Sequence, residues 1–355
     1  MARLGDLITI SSSSKVIDGD KYWLLNLDMI EQQTGRILDF MFVDKSKLDG
    51  SIIKFDTDTV LYSKLRPNLN KVVVPPMDGY GTSELLTLKP DVSKLNKNYL
   101  AVYLRSDAFV TWAVSKTAGA KMPRLGTKEL LNKDIPLPSL YEQERMSDCF
   151  GKIDSLISLR KQQLSKLDEL VKSRFIEMFD GKYKTKPLQA VCEELFAGGD
   201  VKKDKYSDTQ SEEYPYPIYT NGEKDNGFYG YTSIVRVEKE AVTISGRGTI
   251  GFTCLRKEPF YPAVRLIVAV PKQELVSGCY LQHFIQSKNY GGQGASIPQL
   301  TVPMIKDEPI PMPPMDFQKQ FATFVEQTDK SKFEIQQSLE KLETLKKALM
   351  QKYFG

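Results

Sequence analysis

Residues 119–125 read Gly119-Ala120-Lys121-Met122-Pro123-Arg124-Leu125, and residues 294–300 repeat the pattern as Gly294-Ala295-Ser296-Ile297-Pro298-Gln299-Leu300. The offset of 175 residues then holds without a gap, so that Ile135-Pro136-Leu137-Pro138 corresponds to Ile310-Pro311-Met312-Pro313. Upstream, residues 99–106 correspond to residues 280–287 at an offset of 181, which leaves a six-residue difference between the copies. Self-similarity of this extent indicates an internal repeat. The sequence therefore predicts one architecture in two tandem copies.

A long stretch without proline follows each Ile-Pro-x-Pro segment, from about residue 141 to 179 and from about residue 316 to 354. Apolar residues recur there at spacings of three and four, the period of one helix face. Two series step by seven, as in a coiled-coil seam: Ile157, Leu164, Val171 and Met178, then Ile335, Leu342 and Leu349. We predict two helices of about 55–60 Å that pack roughly antiparallel as a spacer. Packing of each stripe into the core of its own domain is the alternative.

The segments between the helices favour β-structure with some helix. Residues 71–74 and 265–270 have the composition of strands, glycine-bearing turns are frequent, and residues 99–106 and 280–287 suit short helices. We predict an α+β fold in four parts: a β-rich domain over 1–140, a long helix over 141–180, a second β-rich domain over 181–315 and a second long helix over 316–355.

Composition excludes several classes of protein. No apolar run approaches the roughly 18 residues of a membrane span, and the first residues lack the apolar core of a signal peptide. The four cysteines are dispersed and His283 is the one histidine, so the sequence predicts no metal site. These features predict a cytoplasmic protein. Its net charge of +4 means that any polyanion must be bound by a local basic patch.

No catalytic motif is present: the sequence lacks a nucleotide-binding phosphate loop, paired metal-binding histidines and a Gly-x-Ser-x-Gly elbow. The nearest approach is Ser245-Gly246-Arg247-Gly248-Thr249-Ile250-Gly251. Glycines there would let backbone N–H groups approach an anion while Arg247 contacts a phosphate or a guanine edge. A turn between two strands, with an exposed arginine, is an equally good interpretation.

In the first copy the comparable basic stretch is residues 62–71, with Lys64, Arg66 and Lys71. Strand alternation would place Lys64 and Arg66 on one face, although a solvated strand edge has the same composition. Asn221, in an Asn-Gly pair, could contact adenine, but the turn interpretation is the stronger. His283 is expected to be packed rather than catalytic.

Together these segments resemble the specificity subunit of type I restriction-modification systems. The resemblance covers the whole chain. It is carried by the duplicated Gly-x-x-x-Pro-x-Leu and Ile-Pro-x-Pro segments, by Glu142-Gln143 and Phe317-Gln318, and by the long helices. Lys64-Leu65-Arg66-Pro67, Asp78-Gly79 before Ser83-Glu84-Leu85, and residues 245–251 are similar to segments of that family's target-recognition domains. The copies depart from each other where Phe317 replaces Glu142 and Gln299 replaces Arg124.

The resemblance implies that each globular domain reads one half of a bipartite, asymmetric site in double-stranded DNA. The helices would set the gap between the half-sites and dock the adenine methylation subunits, two copies being expected. S-adenosylmethionine, ATP and Mg²⁺ would be bound by the methylation and the restriction or motor subunits. This chain itself would hold no cofactor and no metal and would catalyse nothing.

The candidate residues follow from this comparison and from the basic stretches. For DNA binding they are Lys64, Arg66, Lys71, Lys121, Arg124, Asn221, Ser245, Arg247, Thr249, Arg265 and Gln299, with Ser296 as a further position near the DNA. For subunit docking they are Gln143, Ile157, Leu164, Leu167, Gln318, Leu339 and Leu342. No catalytic residue is predicted.

Two other functions stay open on the residues alone. A structural adaptor, with a coiled coil joining two protein-binding domains, fits the near-neutral charge, since many DNA-binding domains are more basic. An independent enzyme using the Arg247 loop as a phosphate site is the weaker of the two.

Overall fold

A computed structural model describes residues 1–11, 19–48, 52–119, 121–181, 183–201, 203–288, 290 and 299–355. It contains two compact units. Unit 1 comprises Met1–Gln162 and Gln336–Gly355, and unit 2 comprises Gln163–Ile335. Within the described part of the chain, no helix has the length and hydropathy that a membrane crossing requires.

Unit 1 combines many short strands with parts of both long helices. In chain order its elements are β1 (Ala2–Arg3), β2 (Ile8–Ser11), β3 (Tyr22–Leu25), β4 (Met41–Val43), β5 (Ile52–Phe55), β6 (Val60–Ser63), β7 (Val72–Val73), β8 (Gly79–Thr82), β9 (Leu85–Pro90), α1 (Lys97–Leu104), α2 (Asp107–Ser115), β10 (Thr117–Ala118), β11 (Arg124–Leu125), α3 (Thr127–Leu131), β12 (Asp134–Ile135), the first part of α4 (Leu140–Phe179) and the last part of α8 (Met315–Phe354). Short 3₁₀ helices cover Leu4–Asp6, Leu27–Met29, Lys45–Lys47 and Pro67–Leu69.

Two four-stranded sheets organise this unit, with strand orders β2-β9-β6-β7 and β4-β3-β8-β5. The pairs are antiparallel except for β3 with β8. Every residue of β6 is buried, as expected of a continuous apolar strand in the middle of a sheet. Helix α1 begins where the Asn96 side chain accepts hydrogen bonds from the backbone N–H groups of Asn98 and Tyr99, which is the role of an N-cap.

Unit 2 repeats the arrangement. Its elements are the last part of α4, β13 (Thr185–Pro187), α5 (Leu188–Val191), β14 (Cys192–Ala197), β15 (Tyr216–Tyr219), β16 (Phe228–Thr232), β17 (Ala241–Ile244), β18 (Thr253–Arg256), β19 (Tyr261–Pro262), β20 (Ile267–Pro271), α6 (Gly278–Ser287), α7 (Val302–Ile305), β21 (Pro309–Pro311) and the first part of α8 (Met315–Phe354), with 3₁₀ turns at Lys203–Lys205 and Lys224–Gly227. The sheet orders are β14-β20-β17-β18 and β16-β15-β19, and β15 is parallel to β19 as β3 is to β8.

The same hydrogen bonds recur in both units at the root of each long helix. Gln143 is fully buried, accepts from the Asn96 N–H (2.9 Å) and donates to the carbonyls of Lys94 and Pro138 (both 2.9 Å). Gln318 does the same with Ser277 (2.8 Å), Leu275 (3.4 Å) and Pro313 (3.0 Å). The Tyr99 and Tyr280 hydroxyls donate to the carbonyls of Pro136 and Pro311, both at 3.0 Å.

These contacts correct one expectation. Gln143 and Gln318 are expected from the sequence to dock partner subunits, but a side chain that is buried in its own unit and hydrogen-bonded to three backbone groups cannot reach another protein. Each glutamine instead joins a long helix to its own domain. Both glutamines belong to the repeat because the same connection between helix and domain occurs in both units.

The long helices pack on each other within each unit. In unit 1 the rings of Phe150 and Phe354 are 6.2 Å apart, Asp154 is 2.6 Å from Lys346, and Lys161 lies near Glu343. Phe150 and Phe354 also belong to the domain core around Tyr99 and Leu100. Apolar residues near the start of α4 and at the end of α8 therefore belong to the domain core and also pack on each other.

In unit 2, Phe175 lies 5.3 Å from Phe321, and Asp168 pairs with Lys332 at 2.7 Å. His283 packs on Phe175 and Phe321, with Nδ1 2.9 Å from the Cys279 carbonyl. Burial lowers the pKa of this histidine. It is a packing residue, as expected.

The remaining docking candidates lie along the stripe: Leu339 is buried, and Ile157, Leu164, Leu167 and Leu342 are half-buried. A second set of apolar side chains on the same helices is exposed: Leu156, Leu159, Leu170, Ile176, Phe333 and Leu345.

Candidate nucleic-acid interface

A backbone hydrogen bond ties the candidate loops together at the same place in both units. In unit 1 the Leu125 N–H donates to the Lys64 carbonyl at 2.9 Å, and in unit 2 the Leu300 N–H donates to the Gly246 carbonyl at 2.8 Å. Each bond joins the loop after a buried central strand, β6 or β17, to the Gly-x-x-x-Pro-x-Leu segment. Arg124 and Gln299, the residues before the two leucines, therefore occupy equivalent positions.

In unit 2, beside this backbone hydrogen bond, two arginines donate to one amide oxygen. Arg247 Nη2 donates to Gln299 Oε1 at 2.9 Å, and Arg265 Nη1 donates to the same oxygen at 3.4 Å. Both arginines are exposed. Among the described residues, no carboxylate lies within ion-pairing distance of either guanidinium. This surface is therefore positively charged and carries mainly hydrogen-bond donors.

The backbone around Arg265 differs from the expected strand. Val264 and Arg265 have φ values of 52° and 60°, a left-handed conformation that residues with a Cβ seldom adopt. Strand β20 begins only at Ile267. Because of this turn, Arg265 leaves the line of the strand and lies beside Arg247.

Two candidates of unit 2 lie behind this surface. Asn221 Nδ2 donates to the Val264 carbonyl (2.6 Å), and Asn221 Oδ1 accepts from the Gly246 N–H (2.7 Å). Ser245 is buried, and its hydroxyl accepts from the Gly222 N–H at 3.0 Å. One donor and one acceptor of the Asn221 amide are therefore used to hold backbone groups of its own unit. The expectation of direct DNA contact is corrected for Ser245, which is buried. Both residues hold the loops that carry Arg247 and Arg265, and DNA contact by Asn221 stays a prediction.

The glycine-rich loop is a closed turn. Its N–H groups at Ile250, Gly251 and Phe252 donate to the carbonyls of Gly248, Ser245 and Thr249 at 2.9–3.1 Å. These three amides bond within the turn and are not available to a phosphate, and the Gly246 N–H is likewise taken by the Asn221 side chain. Thr249 lies exposed at the tip of this turn.

In unit 1 the equivalent position is held by an ion pair. Arg124 Nη2 and Nε donate to Glu84 Oε1 and Oε2 at 2.9 Å and 3.2 Å, the two-pronged geometry that arginine forms with carboxylates. The hydrogen bond from Arg124 holds the pKa of Glu84 below its usual value, and Lys64 contributes. Glu84 lies in a segment that carries the family resemblance but is not among the candidate site residues, because nothing in the local pattern links it to Arg124.

A groove of about 960 Å³ lies beside this pair, lined by Lys64, Lys116, Gly119, Met122 and Arg124 among others. Lys121 is exposed next to it. The unit 2 counterpart of this segment, residues 294–298 including Ser296, lies outside the described residues.

The strand expected to carry Lys64 and Arg66 ends at Ser63. Arg66 has a φ of 49°, and its N–H donates to the Pro123 carbonyl at 2.8 Å, so alternation along a strand does not govern which way the two side chains point. The Lys71 ammonium donates to the Leu27 carbonyl, and burial lowers its pKa. Lys71 therefore hydrogen-bonds within its own domain, which corrects the expectation that it lies with Lys64 and Arg66 at the DNA.

No cluster of His, Cys, Asp and Glu within the described residues could hold a metal ion.

The family model for the type I restriction modification DNA specificity domain matches residues 2–169 and again residues 181–347. A putative type I specificity subunit of Mycoplasma pneumoniae is 27% identical over 243 residues, which span 66% of this chain and 65% of that protein. A second from the same organism is 29% identical over 255 residues, or 66% of this chain and 73% of the other. The EcoDI specificity subunit of Escherichia coli is 24% identical over 157 residues, 43% of this chain and 35% of that protein.

Solved structures show the same fold. A type I restriction-modification S subunit from M. genitalium superposes with a TM-score of 0.65 at 13% identity, covering 100% of this chain and 95% of that one. A chain from a study of assembly and conformational transition in a type I system gives a TM-score of 0.62 at 17% identity, with 99% and 96% covered. Because the family model matches both halves of the sequence, the chain belongs to the type I restriction-modification specificity subunit family and carries two DNA specificity domains in tandem.

Proposed function

We propose that this chain is the sequence-specific DNA-recognition subunit of a type I restriction-modification complex, with each domain reading one half of a bipartite site. The observation that carries the proposal is the backbone hydrogen bond that recurs in both units, from Leu125 to Lys64 and from Leu300 to Gly246. An exposed polar or basic surface lies beside it at the same place in each domain. The side chains on the two surfaces differ: Arg124 with Glu84 in one, and Gln299 with Arg247 and Arg265 in the other. Two different surfaces imply two different half-sites.

Local charge supports this function despite the small net charge. Phosphate contacts by lysine and arginine supply most of the affinity of DNA-binding proteins and fix their register. Unit 2 offers Arg247 and Arg265 with Thr249 beside them, and unit 1 offers Lys64, Arg66, Lys121 and Arg124. We assign the DNA-contacting role to these residues and Gln299.

The long helices would act as an antiparallel coiled-coil spacer between the parts 1–140 and 181–315, with 141–180 and 316–355 as the spacer itself. The ion pairs of Asp154 with Lys346 and of Asp168 with Lys332 support this packing. At 40 residues each, the helices are about 60 Å long.

Lengthening both helices by one heptad, at matched positions near residues 162 and 336, is expected to widen the gap in the recognised site. Seven residues add about 10 Å of helix, the rise of about three base pairs at 3.4 Å each. The measurement is the methylated motif of the complex that carries the lengthened chain. The spacer role predicts unchanged half-sites with up to about three more base pairs between them; an unchanged gap contradicts it.

The chain is proposed to be non-catalytic and to act in the cytoplasm with adenine methylation subunits and restriction or motor subunits. S-adenosylmethionine, ATP and Mg²⁺ would belong to those partners. Apolar side chains that this chain leaves exposed on its helices, including Leu159, Ile176 and Phe333, favour docking of other subunits there. Contiguous exposed apolar patches on folded proteins often mark such sites.

Mapping of adenine methylation across the genome, with and without this gene, tests the function directly. Deletion is expected to remove methylation at one asymmetric bipartite motif, and restoring the gene should return it. If the methylation pattern is unchanged while the partner genes are expressed, the DNA-recognition function is wrong and the adaptor alternative gains weight.

A further inference from the structure

The positions of Arg124 and Gln299 share a feature beyond their place in the repeat. Each side chain is held by charged groups from other loops of its own unit. Glu84 holds Arg124 from 40 residues away along the chain, and Arg247 holds Gln299 from 52 residues away. Surface side chains of this length are ordinarily mobile, and ordering one in advance lowers the entropy cost of binding. Two equivalent, pre-ordered polar side chains suit a reading function.

The hydrogen-bonding groups that remain open define what each could read. Glu84 takes the Nε–Nη2 side of the Arg124 guanidinium, and Nη1 has no partner among the described residues. The Nη1–Nη2 end therefore stays open, and it matches the O6 and N7 acceptors of guanine. Arg124 is also solvent-accessible, with 45% of its side chain exposed.

Gln299 presents the opposite end of its amide. Oε1 accepts from both arginines, so both of its lone pairs are occupied. Within the described part of the chain, the Gln299 amide nitrogen donates to no acceptor. It is left as a donor only, which fits a single base acceptor such as purine N7 or thymine O4 and excludes the two-bond contact that a free glutamine makes with adenine.

We propose that Arg124 and Gln299 are the specificity-determining residues at equivalent positions of the two half-sites, with Arg124 reading guanine. Glu84, and Arg247 with Arg265, act as positioning residues for them. The inference rests on the proposed DNA-recognition function and adds which residues read bases.

The test is the methylated motif made by the full chain, co-expressed with its methylation subunits in a host without other adenine methylation. Arg124→Gln is expected to lower the preference for guanine at one position of one half-site by about 10- to 100-fold. Gln299→Arg is expected to change one position of the other half-site. Arg124→Lys keeps the charge but loses the planar fork; because a lysine ammonium can also donate to guanine O6 and N7, this variant should keep a guanine preference that is weaker than that of arginine.

Matched controls are Lys94→Gln in unit 1 and Gln189→Arg in unit 2; both residues are exposed, and neither lines the groove beside Arg124 or bonds to Gln299. Neither control should change the motif. Several outcomes would overturn the inference: Arg124→Gln keeps the wild-type motif, Arg124→Gln and Gln299→Arg alter the same half-site, or methylation weakens uniformly with the motif unchanged. If the unsubstituted complex methylates without sequence preference, the proposed function itself fails, which is a distinct result.

Discussion

Gln143→Ala is expected to lower the free energy of unfolding of unit 1 by about 3 kcal/mol or more. The substitution leaves the Asn96 N–H and the carbonyls of Lys94 and Pro138 without their partner in a buried site. Each unsatisfied buried group costs about 1–3 kcal/mol. Gln143→Glu keeps the shape but replaces the donating NH₂ with oxygen opposite two carbonyls, and it should be at least as destabilising.

Urea unfolding of the full chain, followed by tryptophan fluorescence, isolates this effect. The two tryptophans, Trp23 and Trp112, both lie in unit 1, so the signal reports on that unit. Gln162→Ala, at an exposed position on the same helix, is the matched control and should shift the curve little. Gln318→Ala removes the equivalent hydrogen bonds in unit 2. Because unit 2 contains no tryptophan, the unfolding of that unit should be detected mainly by circular dichroism. Equal midpoints for Gln143→Ala and Gln162→Ala would show that these hydrogen bonds do not stabilise the domain.

The double substitution Arg247→Ala/Arg265→Ala should weaken DNA binding by the assembled complex roughly 100-fold at physiological salt. It removes both cations of the unit 2 surface and also frees Gln299. The slope of log K against log salt concentration should become shallower by up to about two, roughly one for each phosphate that the variant no longer neutralises.

Lys184→Ala/Lys186→Ala removes two exposed charges from the same unit, away from that surface, and serves as the control. Fluorescence anisotropy with a duplex carrying the recognised site, over a series of salt concentrations, measures both quantities. If the control weakens binding as much as the arginine variant does, nonspecific charge explains the effect and the proposed interface is wrong.

The repeat and the long helices can be predicted because their signals are local or periodic. A constant offset identifies a duplication without any knowledge of contacts, and apolar residues at helical spacing identify α4 and α8 to within a residue or two. Fewer local signals mark the sheet β4-β3-β8-β5, because its strands have only three or four residues.

The site is less predictable because it is assembled from distant loops. Arg124 can be recognised as a candidate, but its pairing with Glu84 spans 40 residues and follows no period. Asn221 and Ser245 have residue types suited to DNA contact, and only the structure shows that both hydrogen-bond to backbone groups of their own unit. Arg265 is assigned to a strand from the sequence because five apolar residues follow it directly. Its positive φ could not be predicted, because only glycine commonly signals that conformation in a sequence.

The composition of unit 1 has a consequence for synthesis on the ribosome. Phe354 contributes to the same core as Tyr99 and Phe150, yet about 170 residues of unit 2 are translated between the two segments of unit 1. At 5–20 residues per second, the first segment waits on the order of 10–35 s for the second. The nascent amino-terminal domain therefore exposes an apolar face during that interval, and chaperones that bind apolar surface are expected to engage it then.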